Sequence, residues 1–216
     1  MTEHHSHKVA HIHHELHSHL PSDPALRVKA LESLLIEKNL VDPNTVDAWI
    51  DVYTEEIGPK RGAQVVARAW TDPAFKLRLL NNGTEAIKEL GFEGMATGHL
   101  RVIANTPRVH NLVVCTLCSC YPHSILGIQP NWYKRAAYRA RAVRDPKGVL
   151  VEFGVKMADD LEIHVWDSTA ELRYLILPEQ PQGTAGWTEV QLAQIVTRNS
   201  MIGTQRDLPL ARERKA

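Results

Sequence analysis

All three cysteines of this 216-residue chain fall within six positions, Cys115-Thr116-Leu117-Cys118-Ser119-Cys120. A chain that uses cysteine nowhere else and then groups it so tightly uses it for chemistry or for a metal. Three thiolates at this spacing can converge on one ion. The peptide nitrogens of Ser119 and Cys120 lie between the last two sulfurs, so one ion could take sulfur and backbone nitrogen together. Disulfide frameworks use even numbers of cysteines spread along a small secreted chain. Here one would be left over, and nothing at the N-terminus reads as a secretory signal. A nucleophilic cysteine needs one thiol, not three. Structural zinc wants four ligands, so that reading stays open with a distant histidine or carboxylate as the fourth, beside a catalytic metal.

Lysine plus arginine and aspartate plus glutamate both number 25, for a formal net charge of zero with histidine neutral. That leaves no bulk electrostatic case for nucleic acid. No apolar run is long enough to span a membrane, and the expected location is cytoplasmic. A length of 216 residues suits one domain with an extension and is enough to bury a core. A near-neutral chain with a large apolar fraction also fits a subunit that covers surface with a partner.

Composition and periodicity divide the chain into a His-rich tail over 1–21, a helical N-terminal arm over 22–98, a metal-binding domain over 99–205 and a C-terminal tail over 206–216. The first tail holds eight of the twelve histidines, at positions 4, 5, 7, 11, 13, 14, 17 and 19. No apolar period accompanies them, which predicts disorder. Such tracts bind divalent metals, and this one could gather metal for the cysteine site; a solvated tail with no duty fits equally.

Ser22 or Asp23 before Pro24 starts a helix, and Leu26, Ala30, Leu31, Leu34 and Leu35 give it an apolar stripe. Further helices are expected over 45–56, stopped by Gly58-Pro59, over 62–70, from Asp72-Pro73 to Asn81-Asn82-Gly83, and over 84–90. Long helices ahead of a compact domain suggest an arm that wraps a partner; an ordinary helical subdomain is the plainer alternative. From Leu100 the pattern changes. Strands are expected over 100–104, 112–114, 161–166 and 172–177. The second delivers the chain into the cysteine loop, and a hairpin turn joins the last two. A helix is expected over 130–143, and Thr188 caps a final one over 189–197. The fold class is α+β: a helical arm, then strands flanked by helices in an α-β-β-α layering.

The motif with its flanks, Val113-Val114-Cys115-Thr116-Leu117-Cys118-Ser119-Cys120-Tyr121-Pro122, resembles the metal-site signature of the alpha subunit in the nitrile hydratase family. The resemblance extends to Val65-Val66-Ala67-Arg68-Ala69-Trp70-Thr71-Asp72-Pro73, Asn131-Trp132-Tyr133-Lys134, Tyr138-Arg139-Ala140-Arg141-Ala142-Val143-Arg144-Asp145-Pro146, Val165-Trp166-Asp167-Ser168 and Val196-Thr197-Arg198. It covers residues 26–203.

The resemblance implies hydration of a nitrile to its amide at a low-spin trivalent metal. Cys115, Cys118 and Cys120 would be catalytic. With the amide nitrogens of Ser119 and Cys120 they would bind the metal, leaving one position open. Such donors suit Co(III) or Fe(III) rather than Mg or Ca. Thr116 matches the cobalt-type signature, where iron-type members tend to carry serine, so one Co(III) per alpha subunit is expected, with Fe(III) as the alternative. Cys118 would be oxidised to the sulfinic acid and Cys120 to the sulfenic acid, while Cys115 stays a thiolate. Oxidised sulfurs donate less charge, which keeps the metal a strong Lewis acid. The nucleophile would be metal-activated water or the Cys120 sulfenate oxygen. Anionic sulfurs need cationic partners; in the family two arginines of a beta subunit supply them. An alpha2beta2 heterotetramer and a metal-loading activator or chaperone are expected with it. Thr116 and His123 would line the substrate pocket, and Asp167 and Glu171 would support the site through hydrogen bonds. A plain pocket wall for His123 and ordinary turn roles for the two carboxylates are the alternatives.

Two positions depart from the family pattern. His123 stands where tryptophan is common, and Met95-Ala96-Thr97-Gly98 stands where a Leu-Gln-Gly-Glu-like stretch is usual. Both bear on the substrate and bring in thiocyanate hydrolase, whose gamma subunit carries the same cysteine signature. His99-Leu100-Arg101-Val102-Ile103-Ala104-Asn105-Thr106-Pro107 and Ile125-Leu126-Gly127 are similar to that subunit, whereas Asp167-Ser168-Thr169-Ala170-Glu171-Leu172-Arg173-Tyr174 reads more like nitrile hydratase. A non-enzymatic metal-trafficking module is a third reading; it would keep the thiols reduced and exchangeable.

Overall fold

The computed structural model describes residues 23–92 and 98–210. The His-rich tail, Met95, Ala96 and Thr97, and the last six residues lie outside the described residues. The chain divides after residue 50 into two units.

The first unit is helical. Helix α1 (Asp23–Glu37) is followed by Asn39 at φ +57, the left-handed conformation that closes helices and that asparagine tolerates. Helix α2 (Pro43–Asp51) begins after Asp42, whose carboxylate accepts from Asn44 N at 2.9 Å. Leu26, Leu31, Leu34, Leu40 and Trp49 are all exposed. A segment of this length cannot bury a core of its own.

The second unit holds the core. A π-helical turn, Val52–Ile57, stops at Gly58, so the helix expected over 45–56 is part α, part π. Helices α3 (Lys60–Thr71), α4 (Pro73–Asn81) and α5 (Gly83–Lys88) follow. Asp72 caps α4 by accepting from Phe75 N at 3.0 Å, with Pro73 at the first helical position. Asn82 accepts from Glu85 N at 3.2 Å, so the asparagine expected to end one helix starts the next. Val65, Val66 and Ala69 of α3, Phe75 and Leu79 of α4, and Ile87 of α5 share one core with the strands. Residues 60–88, read from sequence as part of the arm, thus pack into the body that carries the strands.

Strands β1 (His99–Ala104), β2 (Val109–Val114), β3 (Glu162–Asp167) and β4 (Leu172–Leu177) form two parallel pairs, β1 with β4 and β2 with β3. The expected hairpin between the last two strands does not exist: residues 168–171 cross from one sheet to the other. Apolar alternation locates a strand but carries no sign of its partner. Residues 110–114 and 173–177 are buried without a break, the run of burial that parallel strands covered on both faces show. A parallel pair needs a long crossover. The one from β2 to β3 contains the cysteine loop and helices α6 (His123–Leu126), α7 (Asn131–Lys134), α8 (Ala136–Arg144) and α9 (Pro146–Glu152).

The single helix expected over 130–143 is broken at Arg135, which is extended at φ −66, ψ 134. With the break, Trp132, Tyr133, Tyr138 and Phe153 meet in one aromatic cluster, ring centroids 4.7–6.4 Å apart. Helix α10 (Glu189–Ile195) starts on the Thr188–Gln191 capping box and ends before extended Val196. Thr197 then caps α11 (Arg198–Ile202). Among the described residues, no helix is long and apolar enough to cross a membrane.

One buried side chain pins the two sheets together. Asn111 donates from Nδ2 to Ala104 O at 2.9 Å, at the end of β1, and to Asn105 Oδ1 at 3.0 Å; its Oδ1 accepts from Trp166 Nε1 of β3 at 2.8 Å. Asn111→Leu keeps the volume but takes these bonds from Ala104 O and Trp166 Nε1, while Asn105 Oδ1 keeps only the residue 111 N–H. It is expected to cost about 3 kcal/mol or more, read as a lower urea midpoint; a loss under about 1 kcal/mol would show the pin to be dispensable.

Candidate metal centre

In the parallel register Val114 pairs with Asp167. Cys115 therefore leaves β2 beside the end of β3, and the loop it opens is clamped from both flanks. Asp167 accepts the Thr116 N–H at 2.9 Å and its hydroxyl at 2.5 Å. Arg139 Nη1 donates to Thr116 O at 3.2 Å. On the strand side the Tyr138 hydroxyl donates to Val113 O at 2.7 Å; on the far side that of Tyr133 donates to Cys120 O at 2.9 Å. The middle of the loop is open, with Leu117 87% exposed.

Within this frame the sulfurs converge. Cys115 Sγ lies 3.6 Å from Cys118 Sγ, which lies 3.3 Å from Cys120 Sγ. Among the described residues this is the one group of three metal-ligating side chains close enough to share an ion. The Cys118 N–H points at Cys115 Sγ, 3.3 Å away, and the Ser119 and Cys120 N–H groups lie near enough to Cys118 Sγ to lower its proton affinity. Both peptide nitrogens thus lie beside the sulfurs. A set of soft sulfurs with adjacent peptide nitrogen fits a thiophilic transition metal and not a hard oxygen-seeking cation.

The thiols are unequal. Cys115 is fully buried, Cys120 half-buried and Cys118 exposed. Hydrogen bonding from Cys120, then from the Ser119 N–H and Cys115, brings Cys118 down to about 7. Burial, and then the Cys118 sulfur beside it, pushes Cys120 up to about 12. Without a cation the pair therefore shares one negative charge; a bound metal ion holds every coordinating sulfur as thiolate.

Of the remaining residues singled out from sequence, Thr116 and Asp167 meet at the loop, whereas Glu171 bonds to Thr169 Oγ1 at 3.0 Å in the crossing segment. His123 opens α6. Its Nδ1–H donates to Gly127 O at 3.1 Å, and its ring stands edge-on to Tyr121 at 5.5 Å. Burial lowers its proton affinity against the pull of that carbonyl, and the charges of Arg173 and Lys134 lower it further. Tyr133, Tyr138, Arg139 and Arg173 were not singled out as site residues. Arg173, 9% exposed in the apolar run of β4, sets its charge near both Cys120 and His123; an arginine inside a buried strand is the signal that could have found it. For the tyrosines and Arg139 no local signal exists, because their partners are backbone carbonyls distant in sequence.

Comparison with known proteins agrees with this geometry. The family described as nitrile hydratase, alpha chain, matches residues 22–205. The low-molecular weight cobalt-containing nitrile hydratase subunit alpha of Rhodococcus rhodochrous is 56% identical over 83% of this chain and 86% of its own. The thiocyanate hydrolase subunit gamma of Thiobacillus thioparus is 42% identical over 84% of this chain and 79% of its own. Among solved structures, a double mutant of the Fe-type nitrile hydratase from Comamonas testosteroni Ni1 superposes with a TM-score of 0.80 at 43% identity, over 86% of this chain and 92% of that one.

The unequal thiols make a prediction for reduced, metal-free protein. Alkylation by iodoacetamide at Cys118 should rise steeply through pH 7, while Cys120 stays slow until the medium is strongly alkaline. Mass mapping of the tryptic peptide 109–134 reads both; equal rates at pH 7 would show that the two sulfurs do not share a proton.

Proposed function

This chain belongs to the nitrile hydratase alpha-chain family, and we propose that it is the metal-holding subunit of a cobalt-type nitrile hydratase that converts a nitrile to its amide. The observation that carries this reading is the convergence of three sulfurs, with the Ser119 and Cys120 peptide nitrogens beside them, inside a loop clamped on both flanks. Cys115, Cys118, Cys120 and those two nitrogens would hold one Co(III). When bound, the metal supplies Lewis acidity, polarising a nitrile or lowering the pKa of water, with no net electron transfer.

This chain's residues do the rest. Exposed Cys118, with its lowered proton affinity, is the sulfur suited to oxidation furthest along the ladder, to the sulfinic acid. Half-buried Cys120 would go to the sulfenic acid, a two-electron step beside the four-electron one at Cys118, both with an external oxidant such as dioxygen taking the electrons, and buried Cys115 is shielded and stays a thiolate. Asp167 fixes Thr116, and through it the start of the loop. Thr116 and His123 form part of the pocket wall, and the Arg173 charge offsets part of the negative charge on the oxidised sulfurs.

A beta subunit completes the site from the open side of the loop, with arginines facing the oxidised sulfurs, in an alpha2beta2 assembly loaded by an activator. The apolar side chains exposed along α1 and α2 support such a partner, since they cannot bury one another. The gamma-subunit relative favours a second reading, hydrolysis of thiocyanate at the same centre.

Coexpression with the beta subunit and cobalt tests this. The peptide 109–134 should gain three oxygens, about 48 Da, and the complex should hydrate nitriles in preference to thiocyanate. Reduced cysteines holding zinc would overturn the reading; turnover of thiocyanate alone would move it to the second. Asp167→Ala, which removes both bonds to Thr116, should lower kcat/KM or cobalt occupancy by about 10- to 100-fold; unchanged values would show that the clasp does not position the loop.

A further inference from the structure

The most deeply buried histidine among the described residues lies outside the metal centre. His110 of β2 is fully buried, and both its nitrogens are engaged. Its Nε2 lies 2.7 Å from Gly203 O. A carbonyl only accepts, so Nε2 carries the proton. Nδ1 then has only a lone pair to offer, and it faces two donors: Asn105 Nδ2 at 3.3 Å and Arg206 Nη1 at 3.5 Å. Asn105 cannot turn its amide over, because its Oδ1 already accepts from Asn111 N at 2.9 Å and Asn111 Nδ2 at 3.0 Å. The neutral ring is therefore the one state this cluster accommodates.

Both far partners of the ring, Gly203 and Arg206, belong to the segment after α11. Gly203, at φ +87, lies so close to β2 that a Cβ would collide with the Asn111 carbonyl. Arg206 Nη2 donates to Thr106 O at 3.0 Å, Pro107 O at 3.3 Å and Glu179 Oε2 at 2.8 Å. We propose that residues 203–207 form a latch on β2 that opens when His110 takes up a proton.

A proton arriving from solvent at Nδ1 turns that nitrogen from acceptor to donor against the amide and the guanidinium, and places two cations side by side. Burial first, then the Arg206 charge, holds the ring below its ordinary proton affinity, against the pull of the Gly203 carbonyl. Its folded value thus lies below its unfolded one. The ring's contribution is complete above the ordinary histidine range and is lost as the pH falls through the folded value. Arg206 is the charged group that acts on the ring. Glu179 meets the other edge of that guanidinium. On the neighbouring elements, Glu162 and His164 of β3 face each other, Arg173 of β4 acts on Cys120 and His123, Arg139 of α8 reaches Thr116, and Arg198 of α11 acts on Tyr121.

Hydrogen exchange of the full-length chain from about pH 7.5 to about pH 4.5, corrected for intrinsic rates, reads the latch, while NMR of the ring reads its titration. Protection of the Gly203 and Thr204 amides, whose N–H groups both donate to Asn199 O, should fall by up to about tenfold per pH unit from the ordinary histidine value down to the ring's own pKa and level off below it. His110→Gln, which can still donate to Gly203 O, should flatten that dependence. Arg206→Met should raise the ring's pKa and carry the opening up with it. Protection that persists after the ring has titrated overturns the proposal. So does an equal loss in His110→Gln, which would assign the opening to carboxylates such as Glu179. Should His110→Gln fail to fold, coincidence of the two wild-type midpoints decides.

Discussion

The parallel pairing of β2 with β3 is the contact on which the rest of the centre depends. In parallel strands the C-terminal ends coincide, so Cys115 and Asp167 emerge side by side although most of the crossover separates them in sequence. Antiparallel pairing of the same two strands would set Asp167 about 20 Å from Cys115, a strand length away, and the Thr116 clasp could not form. The crossover also brings the tyrosines of α7 and α8 back over the strand that precedes it. Connectivity, sheet direction and loop geometry are thus one arrangement.

Helix starts were legible because their signals are local. Asp72-Pro73 and Thr188 each place a side-chain acceptor over a nearby N–H, and nothing distant competes; Asn82, expected to end a helix, caps the next one by the same local device. Strand positions were legible for a similar reason, but pairing was not. An apolar run of six residues reads the same beside any neighbour, and proximity in sequence suggested a hairpin where the fold has a crossing. The break at Arg135 was equally hidden: it accompanies the aromatic cluster, whose members come from two helices and the residue that follows a third.

The ligating cysteines were the most legible part of the site, since their chemistry depends on spacing alone. Their inequality was not. It follows from burial, which leaves Cys115 buried and Cys118 in solvent, and from two peptide N–H groups that lie beside one sulfur in the folded loop. The electrostatic setting was hidden too. A chain with no net charge reveals nothing of where its cations lie, and Arg173 becomes visible as part of the site only when β4 is placed beside the loop.

The clamps on the loop share one property: Tyr138, Tyr133, Asp167 and Arg139 grip backbone groups and the Thr116 hydroxyl, and none of them bonds to a sulfur. The loop is therefore a replaceable insert in a socket whose fastenings are independent of what it carries. Its sulfurs can gain oxygens, or exchange one ion for another, without loosening a fastening. In a socket of this kind the exposed middle of the loop, Leu117 above all, is free to change while strands, crossover and helices keep their places.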